Sequence, residues 1–276
     1  MGELEAKREH LRRILQEMGR LVIAFSGGVD SSYLLAAAGQ DLDADRLLAV
    51  TATSEVYAER ETTGAKALAQ RLNVEHLLLE TRELNDPRFA QNPVNRCFHC
   101  KHELFGALRK IAQERGFPHI ADGTTYSDLG DHRPGMRALK DYGIRSPLLE
   151  AQLLKPEIRE LSRVMGLSTW DKPAMSCLAA RFPYGSVITA DRLKRVDQAE
   201  EFLYSLGFTQ VRVRHHEMIA RIEVLPHEIP KLIGYRDEVA QRLKALGFRY
   251  VTIDLEGYRS GSMNEVLPPV TDGRRS

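Results

Sequence analysis

Residues 21–38 decide the fold, and they read Leu-Val-Ile-Ala-Phe-Ser-Gly-Gly-Val-Asp-Ser-Ser-Tyr-Leu-Leu-Ala-Ala-Ala. An apolar run, then two glycines, then good helix formers predict a buried strand, a tight loop and a helix. Gly27 and Gly28 let the backbone approach a ligand closely, and the start of the helix offers unpaired N–H groups to an anion. The stretch therefore predicts an anion-binding loop at the end of a strand.

The side chains of this loop indicate which anion it binds. Ser26, Ser31 and Ser32 add hydroxyl donors, which suit a phosphate or a pyrophosphate. The loop differs from a Walker P-loop because no lysine follows the glycines. Asp30 would be repelled by phosphate unless a hard cation lay between them, which indicates Mg²⁺. The plain alternative is an ordinary Gly-Gly turn capped by serine and aspartate.

Composition and charge exclude several classes of protein. The chain has 276 residues, of which 43% are hydrophobic and 28% charged, as in soluble globular proteins. That length suffices for one large α/β domain and a smaller one. A net charge of +1 gives no general footprint for nucleic acid, and no apolar stretch approaches the ~20 residues that span a membrane. The charged first residues do not resemble a signal peptide, which predicts a cytoplasmic protein.

Strands and helices alternate along the first part of the chain. Strands are predicted at residues 46–53, 74–79, 118–122 and 144–149, and helices at 3–18, 58–72, 97–115 and 155–165. This alternation predicts an α/β fold with a doubly wound, mostly parallel sheet, in which ligands lie beyond the carboxyl ends of the strands. Gly123 follows a strand at that edge and is predicted to contact a nucleotide; the alternative is a solvated turn.

The pattern changes after residues 171–185, a loop rich in proline and small residues. We therefore predict a first domain at residues 1–185 and a smaller α+β domain at residues 186–266. The second domain is predicted to contain a helix around residues 193–206, strands at 210–214, 219–224 and 250–255, and a helical stretch at 229–246. Residues 267–276 combine proline, glycine and charge, which predicts a disordered tail.

All three cysteines fall in loops predicted to border the nucleotide. Cys97 and Cys100 form a CxxC pair at the start of a helix, which lowers thiol pKa values and allows metal binding or redox chemistry. A buried structural pair, or a zinc site with His99 or His102 as a further ligand, is the alternative. With Cys177 as a third thiolate, a [4Fe–4S] cluster would keep one iron without a protein ligand, open to substrate or sulfide. The spacing alone leaves zinc and iron–sulfur both open.

A pair of arginines on a predicted strand is a candidate receptor for a phosphate. Arg212 and Arg214 alternate with valines, so both guanidinium groups emerge on one face of the strand. Their planar forks suit bidentate binding of phosphate. The alternative is two solvated arginines on an exposed sheet face. His215 and His216 follow directly, and no role is assigned to them.

Three segments together resemble a known family. Residues 26–31, Ser-Gly-Gly-Val-Asp-Ser, resemble the pyrophosphate loop of the N-type ATP pyrophosphatases, which activate a carbonyl or carboxylate by adenylation. With Cys-Leu-Ala-Ala-Arg-Phe-Pro-Tyr-Gly at 177–185 and Val-Arg-Val-Arg-His-His at 211–216, essentially the whole chain resembles the LarE family of sulfur insertases. That resemblance implies that ATP adenylates a carboxylate of pyridinium-3,5-biscarboxylic acid mononucleotide and that sulfur replaces the oxygen. Two rounds give the precursor of the nickel-pincer nucleotide of lactate racemase.

The resemblance also implies roles for individual residues. Residues 26–32 would hold the departing pyrophosphate, with Mg²⁺ near Asp30. Lys101 would steady the adenylate or the ATP phosphates, although an ordinary solvated lysine is the alternative. The phosphate of the nucleotide substrate would bind Arg181, Arg212 and Arg214. Glu200 would lie near this phosphate through a metal ion, whereas on its helix alone it resembles a solvent-facing charge.

Two branches of the family differ in their source of sulfur. One branch sacrifices the sulfur of the cysteine that corresponds to Cys177 and leaves dehydroalanine. The other has two further cysteines and a [4Fe–4S] cluster whose free iron delivers an extra sulfide. Cys97 and Cys100 place this chain with the cluster branch. Ala180 stands where the family often has serine, which removes one hydroxyl that would contact the substrate phosphate. A homo-hexamer is implied by the resemblance alone.

Three alternative functions compete with sulfur insertion. A tRNA thiolase with a three-cysteine [4Fe–4S] cluster predicts a basic face or an RNA-binding appendage, which the net charge of +1 disfavours. An ammonia-dependent synthetase would leave the cysteines incidental or bound to zinc. A non-enzymatic sensor of adenine nucleotides would hydrolyse no ATP. We therefore expect a small-molecule nucleotide substrate and neither a membrane nor a nucleic acid as partner.

Overall fold

The structure of the protein, a computed structural model, describes residues 2–130 and 135–267. Contacts divide the chain into two units, the first formed by Met1–Phe89 and Asn95–Lys172 and the second by Ala90–Val94 and Pro173–Ser276. Each unit has its own apolar core. The predicted disordered tail falls almost entirely on residues 268–276, which lie outside the described residues.

The first part of the chain alternates helices and strands. Its elements are α1 (Glu3–Met18), β1 (Leu21–Ala24), α2 (Val29–Asp41), β2 (Leu47–Thr53), α3 (Glu59–Arg71), β3 (Glu75–Glu80), α4 (Pro87–Ala90), α5 (Arg96–Glu114), β4 (His119–Ala121), α6 (Met136–Tyr142), α7 (Pro147–Glu150) and α8 (Lys155–Val164). The four strands form a parallel sheet in the order β3-β2-β1-β4. The predicted α/β class and parallel sheet are confirmed.

Helices cover both faces of this sheet. Leu21 and Ile23 of β1 belong to the core formed with α1, α2 and α8, whereas Val22 belongs to the core formed with α5 and α6. All three side chains are fully buried, because β1 lies inside the sheet between β2 and β4. Ligands of such sheets bind beyond the carboxyl ends of the strands, and the predicted loop follows the carboxyl end of β1.

The fifth strand predicted at residues 144–149 is wrong. Arg145 alone bridges to Ala121 of β4, and the chain then turns into helix α7. Pro147 has no N–H to donate to a neighbouring strand and fits the first turn of a helix instead. Leu148 is nevertheless fully buried, so the short apolar run was a buried helix that periodicity cannot distinguish from a strand.

The second unit is a smaller α+β structure, as predicted. Its elements are α9 (Ala190–Ser205), β5 (Arg212–His216), β6 (Ile219–Glu223), α10 (Ile229–Gly234), α11 (Arg236–Ala245) and β7 (Tyr250–Ile253). The sheet order is β5-β6-β7, with β5 and β6 antiparallel and β6 and β7 parallel. The helical stretch predicted at 229–246 is two helices, because the chain breaks after Gly234, a residue of poor helix propensity.

The division between the units differs from the predicted boundary after residue 185. Residues 173–185 belong to the second unit, and so does the distant segment 90–94. Asn92 Nδ2 donates to the carbonyl oxygens of Phe182 and Pro183, at 3.2 and 2.7 Å. The backbone N–H of Ile188 donates to the carbonyl of Ala90 at 2.8 Å. The loop that carries Cys177 is thus part of the smaller unit.

Candidate active site

The loop after β1, residues 26–32 and hereafter the pyrophosphate loop, has the predicted conformation. The hydroxyl oxygens of Ser26 and Ser31 lie 3.0 Å apart. Gly28 precedes the first residue of α2, and in the described part of the chain no side chain caps that helix start. The first N–H groups of α2 therefore remain available to an anion.

Gly27 is required at its position for two reasons. Its φ of +70° lies in the left-handed region, and a Cβ there would lie 3.0 Å from the Cβ of Ala65 in α3. Its carbonyl oxygen accepts a hydrogen bond from Lys172 Nζ at 3.0 Å, and that ammonium lies 2.8 Å from Glu61 Oε2. The loop therefore contacts Ala65 of α3 and is hydrogen-bonded by Lys172, a residue that the sequence analysis did not identify.

Asp30 and Ser32 carry polar atoms without partners. Asp30 Oδ2 lies 2.9 Å from Lys155 Nζ. Within residues 2–130 and 135–267, the buried Asp30 Oδ1 and Ser32 Oγ have no hydrogen-bond partner. A buried carboxylate oxygen without a partner is costly, so this atom is suited to a ligand. Carboxylate and hydroxyl oxygens are the donors that Mg²⁺ prefers, and the residues present fit that ion.

Gly123 lies against the pyrophosphate loop. It follows β4, and a Cβ at this position would lie 2.9 Å from the backbone nitrogen of Ser31. Any side chain here would push against the start of α2. This close approach joins the end of β4 to the loop, which is the location predicted for a nucleotide contact. The contact itself stays a prediction.

Lys101 extends from α5 to a buried carboxylate at the same edge of the sheet. Lys101 Nζ lies 3.7 Å from Asp122 Oδ2. Asp122 is 6% exposed and accepts hydrogen bonds from the hydroxyls of Thr124 and Ser146, at 2.6 and 2.7 Å. Asp122 immediately precedes Gly123, so Lys101 is fixed beside the residues that contact the loop. Its side chain is about one-third exposed, which leaves its ammonium accessible.

Cys97 and Cys100 lie in the first turns of α5, three residues apart and hence on one face of the helix. Cys97 is exposed and Cys100 half-buried. Cys100 Sγ lies 3.6 Å from the hydroxyl of Tyr57 and 3.8 Å from Glu83 Oε1. In the described part of the chain, no group of three or more His, Cys, Asp and Glu side chains is placed to hold a metal ion.

Cys177 of the second unit is half-buried and precedes a short 3₁₀ helix, Leu178–Arg181. Arg181, 2% exposed, makes two hydrogen bonds of 2.8 Å to the carboxylate of Glu200. Its remaining nitrogen, Nη1, donates to the carbonyl oxygens of Ser176 and Cys177, at 2.8 and 3.0 Å. Arg181 therefore fixes the backbone on which the Cys177 thiol is carried.

The Arg181–Glu200 pair stays ionised although it is buried. Burial opposes the charge of both groups. The attraction between them and their hydrogen bonds outweigh this, so the pKa of Arg181 is raised and that of Glu200 is lowered. Glu200 Oε1 also accepts from the backbone N–H of Val213 at 2.9 Å. Glu200 is thus no solvent-facing charge.

Arg214 is bound in a similar way by a second carboxylate. Its Nε and Nη2 donate to Glu223 at 2.9 and 2.6 Å, and Nη1 donates to the carbonyl of Ala180 at 2.8 Å. Ser262 Oγ accepts a further bond from Nη2 at 3.0 Å. Glu223 is fully buried and was not predicted as a site residue.

Arg212 differs from the other two members of this arginine cluster (Arg181, Arg212 and Arg214). It is 4% exposed, and its guanidinium donates to the carbonyls of Val211 and Ala174. Among the residues that the structure describes, no carboxylate forms an ion pair with it. Burial lowers the pKa of Arg212, and the positive charge of Arg181 lowers it further. The charge of Glu200 partly offsets this effect, but Glu200 is bound to Arg181, so Arg212 is the arginine of the cluster that no carboxylate binds directly in the described residues.

The burial of Arg212 and Arg214 overturns their alternative interpretation as solvated arginines, since each is 4% exposed. Sequence reasoning missed Lys172, Asp122 and Glu223. Asp122 ends the strand predicted at residues 118–122. Its position at the carboxyl end of that strand, where ligands of parallel sheets bind, could have identified it as a site residue. Lys172 lies 145 positions from Gly27, whereas Glu223 meets Arg214 across the β5–β6 hairpin; no local pattern marks either as a site residue.

Comparisons with known proteins indicate the family of the chain. The asparagine synthase family matches residues 8–95. A Pyridinium-3,5-bisthiocarboxylic acid mononucleotide synthase of Lactiplantibacillus plantarum is 39% identical over 97% of both chains. An uncharacterised protein of Synechocystis is 44% identical over 96% of this chain and 99% of its own. A tRNA-specific 2-thiouridylase of a Bradyrhizobium species is 32% identical over 55% of this chain and 48% of its own.

The parallel sheet, the pyrophosphate loop and the asparagine synthase match define an enzyme of the PP-loop class, which uses ATP. Within that class the chain belongs to the LarE family, as its full-length similarity to the Lactiplantibacillus synthase shows. It is accordingly an ATP-dependent sulfurtransferase. No helix in the described residues has the length and apolar character needed to cross a membrane.

Proposed function

We propose that this enzyme adenylates the carboxylates of pyridinium-3,5-biscarboxylic acid mononucleotide and converts them to thiocarboxylates. The pyrophosphate loop carries the proposal, because the uncapped start of α2 and the unpartnered Asp30 Oδ1 lie together at the carboxyl edge of the sheet. The full-length similarity to the Lactiplantibacillus synthase supports this substrate. The product would serve nickel-pincer nucleotide biosynthesis.

The first step forms a mixed anhydride. A carboxylate oxygen of the substrate attacks the α-phosphorus of ATP, an O–P bond forms, and the bond between the α- and β-phosphates breaks. The N–H groups of α2 and the hydroxyls of Ser26 and Ser31 receive the departing pyrophosphate. Mg²⁺ at Asp30 would supply positive charge against that leaving group. Lys101, held by Asp122, steadies the phosphates of ATP or of the adenylate.

The nucleotide phosphate of the substrate binds the arginine cluster. Arg212 provides the charge that no described carboxylate binds directly, while Arg181 and Arg214 are oriented by Glu200 and Glu223. In this structure both oxygens of Glu200 accept bonds from Arg181. Glu200 thus serves Arg181 in this structure, and we derive no step through a metal at Glu200.

Sulfur replaces the adenylate oxygen in the second step. We assign Cys97, Cys100 and Cys177 as the ligands of a [4Fe–4S] cluster, since three thiolates are the donor set that leaves one iron open. When bound, such a cluster supplies a sulfide as soft nucleophile to the acyl carbon. Arg181 holds the backbone of Ser176 and Cys177, which positions the third thiol. The bond from the acyl carbon to AMP breaks, and AMP leaves.

The test is the metal and sulfide content of anaerobically purified protein. We would measure iron, acid-labile sulfide and zinc per chain in the wild type and in Cys97→Ala, Cys100→Ala, Cys177→Ala and His99→Ala. About four irons with a broad absorption near ~400 nm, lost in each cysteine variant and kept in His99→Ala, would support the cluster. His99→Ala is the matched control, because His99 was the candidate zinc ligand on the same helix turn.

Other outcomes would redirect the proposal. One zinc and no iron, with zinc lost in His99→Ala, would show a structural metal and contradict the cluster. Neither metal after anaerobic reconstitution, with loss of one H₂S at Cys177 after turnover, would show the sacrificial route. ATP cleavage that depends on tRNA or on ammonia, rather than on the pyridinium substrate, would overturn the substrate itself. Cytoplasmic location and a homo-hexamer stay predictions; the mass of the native particle tests the latter.

A further inference from the structure

Lys172 reaches the pyrophosphate loop from a fixed point. Its Nζ donates to the carbonyl of Gly27 at 3.0 Å and lies 2.8 Å from Glu61 Oε2. The backbone behind it is held because Arg159 donates to the carbonyls of Trp170 and Lys172, both at 2.8 Å. Both Lys172 and Glu61 are mostly buried. The lysine is thus preorganised before any ligand arrives.

This contact determines which way the Gly27–Gly28 peptide faces. A trans peptide directs its carbonyl oxygen and the following N–H to opposite sides. Because the Gly27 oxygen is bound by Lys172, the N–H of Gly28 faces into the loop, where it donates a long hydrogen bond of 3.4 Å to Ser26 Oγ. In this orientation the loop presents a donor to an anion.

Within the loop, one long hydrogen bond of 3.4 Å, from the Gly28 N–H to Ser26 Oγ, supports that orientation. Two adjacent glycines have no side chains, so the peptide between them can rotate more easily than one flanked by residues with a Cβ, and the Lys172 contact adds a second restraint. A rotated peptide would present the Gly27 carbonyl oxygen to the phosphate and turn an attraction into a repulsion. Ala65 limits the space beside Gly27 but forms no hydrogen bond with its carbonyl.

We propose that Lys172 is a positioning residue of the pyrophosphate loop, which holds the Gly27 carbonyl outward so that the Gly28 N–H donates to pyrophosphate. Glu61 keeps the ammonium at that carbonyl and balances its charge. Lys172 therefore acts through the loop backbone and is not itself the phosphate ligand. This inference rests on the proposed function, because it takes the loop to receive the pyrophosphate of ATP.

The experiment titrates magnesium pyrophosphate into the protein by calorimetry. Lys172→Met should weaken binding by on the order of tenfold, and Lys172→Arg should restore part of it. Lys231→Met is the matched control, because Lys231 Nζ donates at 2.8 Å to the carbonyl of Gly207, another glycine of positive φ, in the second unit. That variant should bind pyrophosphate like the wild type.

Glu61→Gln separates positioning from direct contact. If Lys172 acts through the Gly27 carbonyl, loss of Glu61 loosens the lysine and weakens pyrophosphate binding. Tighter binding in Glu61→Gln would show that the released ammonium contacts the phosphate, which overturns the inference. Equal Kd values for wild type and Lys172→Met would overturn it as well, with the proposed function intact. If the wild-type protein binds no magnesium pyrophosphate, both the positioning role of Lys172 and the proposed role of the loop in receiving pyrophosphate would be contradicted.

Discussion

The pyrophosphate loop and the arginine cluster are both candidate phosphate sites, but they are built from different groups. The loop uses backbone N–H groups and short hydroxyls, which carry partial charges. The cluster uses three full charges in a buried place, and two of them are paired with Glu200 and Glu223. Of the three arginines, only Arg212 forms no ion pair with a carboxylate of the described residues. The comparison teaches that residue type alone does not identify the receptor for an anion. An arginine that is already paired with a carboxylate is less available to an anion than one that has no such partner.

Breaking the Arg181–Glu200 pair should have the largest effect. Arg181→Ala leaves the fully buried carboxylate of Glu200 without its partner, which should cost about 3–5 kcal/mol of the free energy of unfolding. Urea unfolding measures this. Arg12→Ala, which removes the exposed Arg12–Glu9 pair of α1, is the control and should leave the midpoint almost unchanged. Equal midpoints for the two variants would contradict a structural role of the buried pair.

Protonation of His215 at acid pH should lower the stability of the second unit, which carries the arginine cluster. This ring is 2% exposed, stacks on Phe182 at 5.0 Å and lies near Phe248 at 5.5 Å. Burial lowers the pKa of His215 from 6.5 to about 4, and Arg192 and Arg195 add to the effect. The fold therefore favours the neutral ring, and the stability it contributes is present above about pH 6.5 and lost as pH falls toward 4.

The expected loss over that window is about 3 kcal/mol of the free energy of unfolding. Unfolding measured from pH 7 to 4 in wild type and His215→Phe tests it, because the variant has no proton to bind at this position. Its stability should fall less steeply with acid than that of the wild type. His10→Phe, on the first helix, should keep the wild-type slope. Parallel curves for wild type and His215→Phe would refute the prediction.

Removing the Arg212 side chain should weaken binding of the nucleotide substrate with little effect on the stability of the protein. Arg212→Ala should raise KM for the nucleotide substrate by on the order of a hundredfold, because a charge-assisted phosphate contact is lost. Its unfolding midpoint should change far less than that of Arg181→Ala, since no buried carboxylate is left alone. Steady-state release of AMP and urea unfolding check the two parts. A loss of stability like that of Arg181→Ala would mean that Arg212 is a structural residue.

A methyl group on the pyrophosphate loop should give the smallest effect of the four. Gly27→Ala places a Cβ 3.0 Å from that of Ala65 at a φ of +70°, and the strain should lower kcat/KM for ATP by on the order of tenfold. Gly39→Ala lies in α2, where nothing lies within 4 Å of the added Cβ. That control should keep full turnover and gain about 0.5–1 kcal/mol of stability. Equal turnover in both variants would show that the loop tolerates displacement.

The parts that the sequence could predict are those determined locally. Residues 21–38 contain the strand, the turn and the helix in one continuous stretch, so the loop could be predicted from that stretch, and the parallel sheet from the alternation of strands and helices after it. The error at residues 144–149 has a local cause too, because a four-residue helix and a buried strand share the same apolar pattern.

The partners of charged side chains could not be predicted. Arg181 and Glu200 are close in sequence but belong to different elements, and Arg214 meets Glu223 across the β5–β6 hairpin. Lys172 and Gly27 are 145 positions apart. Such pairs depend on how elements pack, which composition and periodicity do not contain. The sequence therefore indicated the arginines, but not that Arg212 is the member of the cluster without an ion pair in the described ranges 2–130 and 135–267.

The short segment at residues 90–94 has a consequence for how the chain can be cut. Because it belongs to the second unit while its neighbours on both sides belong to the first, the polypeptide passes between the units at residues 89–90, 94–95 and 172–173. A fragment that starts at Pro173 would lack Asn92, which caps the carbonyls of Phe182 and Pro183. During synthesis, residues 90–94 are made well before residues 173–276, so the smaller unit is completed only when these two segments come together. Chimeras between relatives should therefore exchange both segments together.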